Sequence, residues 1–278
     1  MQLELESPRW PALADQPAAG PVPAVGPRFW PRLAAALLVL EAVLVTVPVA
    51  VLSHHFHFPA VLREPAAVAL PLFRASQGFI VPAYYVFVLS ALLYVPLSYA
   101  LRRALAPAAG PARPLGSRLL AGLGLATALL QSLGFSRWVF AVPLLSAQYA
   151  APDGTDTTRR AVALLYDLLN RYAGLTVGEH LGFLAMAAWT GCLAGLVWQG
   201  RGRSRLATGL AAAGLGLALA LALSVGEHFG GPNAPAFAQL NLVANTVWTG
   251  WVLGLAGWLL RRPAERLAPA PAQTPRQP

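Results

Sequence analysis

The sequence predicts an all-α polytopic membrane protein of six transmembrane helices with both termini in the cytoplasm. Three observations predict it: six long apolar runs, a scarcity of charge, and arginines gathered in alternate turns between the runs. Of 278 residues, 56% are apolar and only 11% charged, and the mean hydropathy is +0.56. Soluble domains carry about 25% charged residues, so this chain cannot cover a water-facing surface unless most of it lies in lipid.

Spanning a hydrocarbon core takes roughly 20 apolar residues in a helix. Residues 1–28 are rich in Pro and Ala, lack periodicity and read as a disordered cytoplasmic tail. Six runs then qualify within a transmembrane domain over 29–262: about 33–53, 79–101, 118–146, 175–199, 206–228 and 238–260. Pro48, Pro82, Pro96 and Pro143 fall inside them, where neighbouring helices satisfy the freed carbonyls. The loop 54–76 carries Pro59, Pro65 and Pro71 and predicts a short, broken cap. Over about 157–173, Val162, Leu165, Leu169 and Tyr172 form one helical stripe against Arg160, Asp167, Asn170 and Arg171. This predicts an amphipathic helix on the outer face, with Asp156 as its N-cap and Gly174 as its stop. Residues 263–278 read as a second cytoplasmic tail.

The basic residues set the orientation. All 20 are Arg. Arg9, Arg28, Arg32, Arg102, Arg103, Arg113, Arg118, Arg201, Arg203, Arg205, Arg261, Arg262, Arg266 and Arg276 fall on one side, which makes 14. Arg63, Arg74, Arg159, Arg160 and Arg171 fall on the other, and Arg137 lies within a run. The positive-inside rule assigns the richer side to the cytoplasm, in a cell membrane. The net charge of +9 is therefore a topology signal. Split among short turns, it is not the stripe that nucleic acid needs, and no nucleic-acid partner is expected.

The single cysteine, Cys192, excludes a disulfide framework and a thiolate cluster. No Gly-rich phosphate loop, HExxH or GxSxG motif occurs; no cofactor is expected and no enzyme class is indicated. The strings AGLGLA (121–126 and 213–218) and WTGCLAGL/WTGWVLGL (189–196 and 248–255) suggest duplicated hairpins. The GxxxG pairs Gly191/Gly195 and Gly250/Gly254 permit close helix approach, within the chain, to a second copy or to a membrane partner.

Ionisable groups in spans are costly and face a partner or a cavity. Counting helix rise from the cytoplasmic boundaries, Arg137 lies about 28 Å up, Glu227 about 31 Å, and Glu179 and His54 about 33 Å. These groups share one level at the outer membrane edge, along with His55, His57, His180 and His228. Three arrangements compete. Arg137 pairs with Glu179 or Glu227 and the histidines are interfacial. Alternatively, His54, His57, His180 and His228 supply ligands for a metal ion, although Glu and His adjacent on a helix diverge by about 100°. The third is an outward pocket with a Glu as base and Arg137 as anion anchor. Glu41 stands apart, about 14 Å above Arg32 and near the midplane. Either it is neutral, or it meets Gln131, Asn245 or Thr190. Asn241 and Asn245, one turn apart, point the same way and line the interior.

The segments LGFSRWVFAVPLLSAQYA (133–150) and YAGLTVGEHLGFLAMAAW (172–189) carry Arg137-Trp138 and Gly178-Glu179-His180. With them the chain resembles, over roughly residues 30–262, a family of bacterial six-helix integral membrane proteins catalogued as a domain of unknown function. That resemblance implies a multi-pass membrane location and six helices, and no activity. The second Gly-Glu-His (226–228) and the His-His-Phe-His run lie outside the family pattern. The leading functional expectation is a protein that binds or moves a small solute or ion through the outward pocket. Its alternatives are a membrane-embedded metal-dependent enzyme using Glu179, His180, Glu227 and His228, and an accessory subunit without a ligand.

Overall fold

The computed structural model describes residues 26, 28–106, 114–200 and 204–262. Residues 1–25 and 27 of the first expected tail and the whole of the second, with Arg9, Arg266 and Arg276, lie outside the described residues, as do Arg113, Arg201 and Arg203. Among the described residues there is no strand. The helices are α1 (Phe29–Phe56), α2 (Ala66–Ala75), α3 (Gln77–Ala104), α4 (Pro114–Ser136), α5 (Val142–Tyr149), α6 (Asp156–Leu169), α7 (Gly182–Gly200), α8 (Arg205–Ser224) and α9 (Ala234–Leu260). Six continuous stretches are long and apolar enough to cross a membrane: Phe29–Phe56, Gln77–Ala104, Leu115–Tyr149, Asp156–Gly200, Arg205–Phe229 and Ala234–Leu260. Leu119, Leu125, Leu129 and Leu133 on α4 and Leu215, Leu219 and Leu223 on α8 face outward. Apolar faces of that extent fit lipid rather than water.

Two of the six contain π-helical stretches, and the first has a local cause. Between α4 and α5 the turn Arg137–Ala141 is π-helical, and the Val142 N–H reaches back five residues to the Arg137 carbonyl. Pro143, which follows, has no N–H to donate to the ordinary partner four residues back. Between α6 and α7 the whole stretch Asn170–Leu181 is π-helical. Gly174, expected to stop the amphipathic helix, sits inside this stretch, so α6, the wide segment and α7 run on as one continuous helix. The N-cap is Thr155 rather than Asp156: its hydroxyl accepts from the Thr158 N–H at 3.1 Å, and Asp156 occupies the first turn.

The core has two parts. One lies toward the end carrying both termini, where Tyr94, Trp189, Trp248 and Trp251 pack among Ala and Leu of α1, α3, α7, α8 and α9. Their polar edges make bonds between helices: Trp189 Nε1 to Ser98 Oγ at 2.8 Å, Trp248 Nε1 to Thr190 Oγ1 at 3.1 Å and Trp251 Nε1 to the Leu210 carbonyl at 2.7 Å. The start of α1 and the end of α9 meet there, with Arg28, Pro31 and Arg32 against Leu259, Leu260 and Arg262. The second part lies at the opposite end, hereafter the distal end. The loop between α1 and α3 forms a 3-10 turn (Ala60–Arg63) and α2, which bury Val61, Leu62, Ala66, Leu70 and Phe73 around Trp138.

Glycine spacing decides one helix crossing. A Cβ on Gly178 would stand 2.7 Å from the Gly134 Cα, and one on Gly134 would stand 2.5 Å from the Gly178 Cα. The fourth span therefore touches α4 backbone to backbone. Gly174 and Gly182, four residues to either side of Gly178, face Arg137 and Gln131 of the same third span. In the GxxxG pairs, Gly191 and Gly254 pack against Ala218 and Leu210 of α8, whereas Gly195 and Gly250 have open space.

Glu41 is buried, and none of the expected partners reaches it. Its Oε1 accepts from Ser90 Oγ of α3 at 2.8 Å, and its Oε2 has no partner. Gln131 instead donates to Met186 Sδ, Thr190 accepts from Trp248 and Asn245 donates to Asn241. Removing the one donor strands the whole carboxyl group. Ser90→Ala is expected to cost about 1–3 kcal/mol, and Glu41→Leu with Ser90→Ala less than that, because an apolar pair leaves nothing unsatisfied. Reversible unfolding in mixed micelles measures both; equal losses would contradict the pairing.

Candidate functional site

At the distal end, side chains from three separate elements converge. Arg63 closes the 3-10 turn after α1, Glu179 lies in the π-helical stretch of the fourth span, and Glu227 lies in the short 3-10 segment (Val225–Phe229) that ends the fifth. Arg63 Nη2 stands 2.7 Å from Glu179 Oε2 and 2.7 Å from Glu227 Oε1. Its Nε donates to Glu227 Oε1 at 3.0 Å and its Nη1 to Glu179 Oε1 at 3.4 Å. One guanidinium thus clamps two carboxylates, and planar bidentate pairing of this kind is among the stronger charge-assisted arrangements. Burial acts to lower the Arg63 pKa, but the Glu179 carboxylate, and after it Glu227, outweigh this and hold it above its ordinary value. The guanidinium keeps an open side: the Arg63 side chain is 37% exposed, while the two acids are 16% and 17% exposed.

The two Gly-Glu-His doublets meet through their histidines. His228 Nε2 is 3.4 Å from Glu179 Oε2, and His228 Nδ1 is 3.3 Å from His180 Nδ1. His228 therefore bridges an acid and a second imidazole, so a proton placed on His180 has a continuous path to the Glu179 carboxylate. Below the cluster, Asn241 Nδ2 donates to Ser224 Oγ at 3.1 Å and Asn245 Nδ2 donates to Asn241 Oδ1 at 3.1 Å. Ser224 at the end of α8 and Asn241 and Asn245 on α9 thus form a short polar chain.

Arg137 does not join either acid. Its Nη1 donates to the Gly134 carbonyl at 2.5 Å and its Nη2 to Asn170 Oδ1 at 3.2 Å, and the guanidinium lies 5.3 Å from the Trp138 ring centroid. The expected pairing with Glu179 or Glu227 is replaced by Arg63, a loop residue that run-by-run counting passes over. Asn170, by sequence a polar position beside the amphipathic stripe, has a larger part. It bonds Arg137 on one side and donates to the Leu62 carbonyl at 3.0 Å on the other, which fixes the backbone next to Arg63. The spacing Gly174-Gly178-Gly182 is the sequence signal for this crossing.

His180 and His228 come together, but the expected four-histidine set does not. Among the described residues no three His, Cys, Asp or Glu side chains are arranged to hold a metal ion. His54 packs edge-on against His55, which stacks on Phe79 at 4.1 Å, and His57 takes the left-handed C-cap position of α1 at φ 52°. Gly-Glu-His adjacency sends each Glu toward Arg63 and each His toward the other His.

No curated protein and no solved structure matches the chain. A family model does, over residues 33–262, which takes in most of the first span, the other five whole, Arg63 and both Gly-Glu-His doublets. The chain is a multi-pass membrane protein that belongs to the DUF4386 family, a domain of unknown function.

Proposed function

We propose that this protein sits in the cell membrane with both termini cytoplasmic, and that its distal cluster binds a small cationic solute or ion from outside and admits it toward the short polar chain of Ser224, Asn241 and Asn245. The orientation rests on the arginine asymmetry. Among the described residues Arg28, Arg32, Arg102, Arg103, Arg118, Arg205, Arg261 and Arg262 belong to the end with the termini. The ligand class rests on one observation: two carboxylates from different spans converge on a cation that belongs to neither span and that hangs from a loop. A guanidinium or ammonium group on a solute satisfies the same two acids when Arg63 swings out. The His180–His228–Glu179 chain supports proton exchange with that event. No observation favours a metal-dependent enzyme over this reading.

Methylguanidinium is the direct probe. It is expected to stabilise Arg63→Ala saturably and to leave Arg63→Ala/Glu179→Gln/Glu227→Gln unaffected, because the seat is then uncharged. In proteoliposomes, uptake of labelled methylguanidinium by the wild type should fall about tenfold or more in Glu227→Gln, the loss of one charge-assisted pair. If the triple variant responds like Arg63→Ala, the acids are not the seat. For orientation, single-cysteine variants at positions 152 and 106, made in Cys192→Ala, should react with an impermeant thiol reagent in whole cells at 152 only.

A further inference from the structure

Four buried donors without partners lie on Arg137, on Trp138 and on two tyrosines packed against the Trp138 ring. They are Arg137 Nε, Trp138 Nε1, Tyr84 Oη and Tyr166 Oη. The rings interlock: Tyr84 stacks on Trp138 at 5.2 Å and 15°, Tyr166 meets it edge-on at 6.2 Å, and the Arg137 guanidinium lies over it at 5.3 Å. Tyr84 is 1% exposed, Trp138 0%, Tyr166 1% and Arg137 6%. Neither phenol oxygen bonds to the guanidinium or to any other group.

The imbalance runs one way. The acceptors that Arg137 does have, the Gly134 carbonyl and Asn170 Oδ1, are neutral. Glu179 is bonded to Arg63 and His228 instead. A buried cation with no carboxylate bonded to it is expensive, and each stranded donor adds a desolvation cost. Native interiors rarely leave such groups unsatisfied, and several in one place call for a specific acceptor. Apolar packing cannot supply it. An acceptor carrying negative charge meets both needs at once, since it balances the guanidinium and takes N–H and O–H donors together.

We infer that Arg137, Trp138, Tyr84 and Tyr166 form a buried binding site for a small monovalent anion, either a halide or a carboxylate group, separate from the Arg63 cluster. The π-helical turn Arg137–Ala141 supplies a reason for the local geometry. A widened turn rotates successive side chains differently from an α-helix, so Arg137 and Trp138 both face the ring nest although they are adjacent in sequence. The inference stands whether or not the distal cluster binds a cation.

The test uses the full-length protein in micelles at constant ionic strength, with sodium gluconate replaced stepwise by sodium chloride or sodium formate. The midpoint of thermal unfolding is expected to rise saturably with one of them and to lose that response in Tyr84→Phe and Tyr166→Phe. Chloride acting alone identifies a halide, and formate acting alone a carboxylate. The sign of the phenylalanine effect decides independently. Where an anion accepts from the hydroxyl, Tyr84→Phe lowers the midpoint; where the hydroxyl is stranded, deleting it leaves the midpoint unchanged or raises it, and the inference fails. A lowered midpoint with no response to either anion means neutral water alone serves these donors, and this too overturns it. Arg137→Met should abolish the response outright, and the two Tyr→Phe variants decide the matter even if Arg137→Met does not fold.

Discussion

Gly178→Val is expected to prevent accumulation of folded protein. The new Cβ would stand 2.7 Å from the Gly134 Cα and 3.2 Å from the Ala173 carbonyl. These are backbone atoms, so no side chain can turn away to make room. Relief requires the fourth span and α4 to separate. Overpacking a core by a methylene or two costs about 1–3 kcal/mol when side chains can adjust; here they cannot, and the loss should exceed that range. Separation also carries Glu179, the next residue, away from Arg63 and moves Asn170 relative to Arg137. Gly195→Val is the matched control, since its Cβ meets nothing within 4 Å. Size-exclusion chromatography and SDS-titrated unfolding compare the two. Similar stability of both variants would refute the Gly134–Gly178 crossing.

Arg63→Ala should be the most destabilising change at the distal cluster. It leaves Glu179 and Glu227 facing each other across the space that the guanidinium had bridged. Breaking a fully buried pair costs about 3–5 kcal/mol. With Arg63 37% exposed, water recovers part of that, and about 2 kcal/mol is expected. Arg63→Ala/Glu227→Gln should regain some of the loss by removing the repulsion, which separates a charge effect from a packing effect. The pH dependence has a defined sign. The Arg63 pKa is raised in the folded state, so its stabilisation is fully present below the ordinary arginine value. It is lost only as pH rises through the still higher folded value. The Arg63 contribution in the wild type should therefore be flat across neutral pH. The deficit of Arg63→Ala should likewise hold steady across neutral pH. A deficit that changes over that range would contradict the clamp.

Much of this arrangement is legible in the order of the residues. Hydropathy marks six spans, because a backbone in oil must satisfy its own hydrogen bonds and a helix does so within one segment. Helix rise puts Glu179, His180, Glu227 and His228 at one height, and the structure does bring these four residues together. The partners are another matter. Arg137 sits at nearly the same height, yet it turns to Asn170 and the Gly134 carbonyl. Glu41 finds Ser90 instead of Gln131, Thr190 or Asn245. Arg63 enters from a loop, where no periodicity constrains it, and it reaches both acids on a long side chain.

Residue order alone thus sets the number of spans, the heights of the polar groups along them, and the arginine bias between the two ends. Which groups touch is settled by the packed fold. Height follows from a fixed rise per residue and survives any packing. Rotation about the helix axis does not, because the π-helical stretches at Arg137–Ala141 and Asn170–Leu181 break the 3.6-residue phase. The glycine contact at Gly134 and Gly178, not the periodicity of either helix, then sets which faces meet.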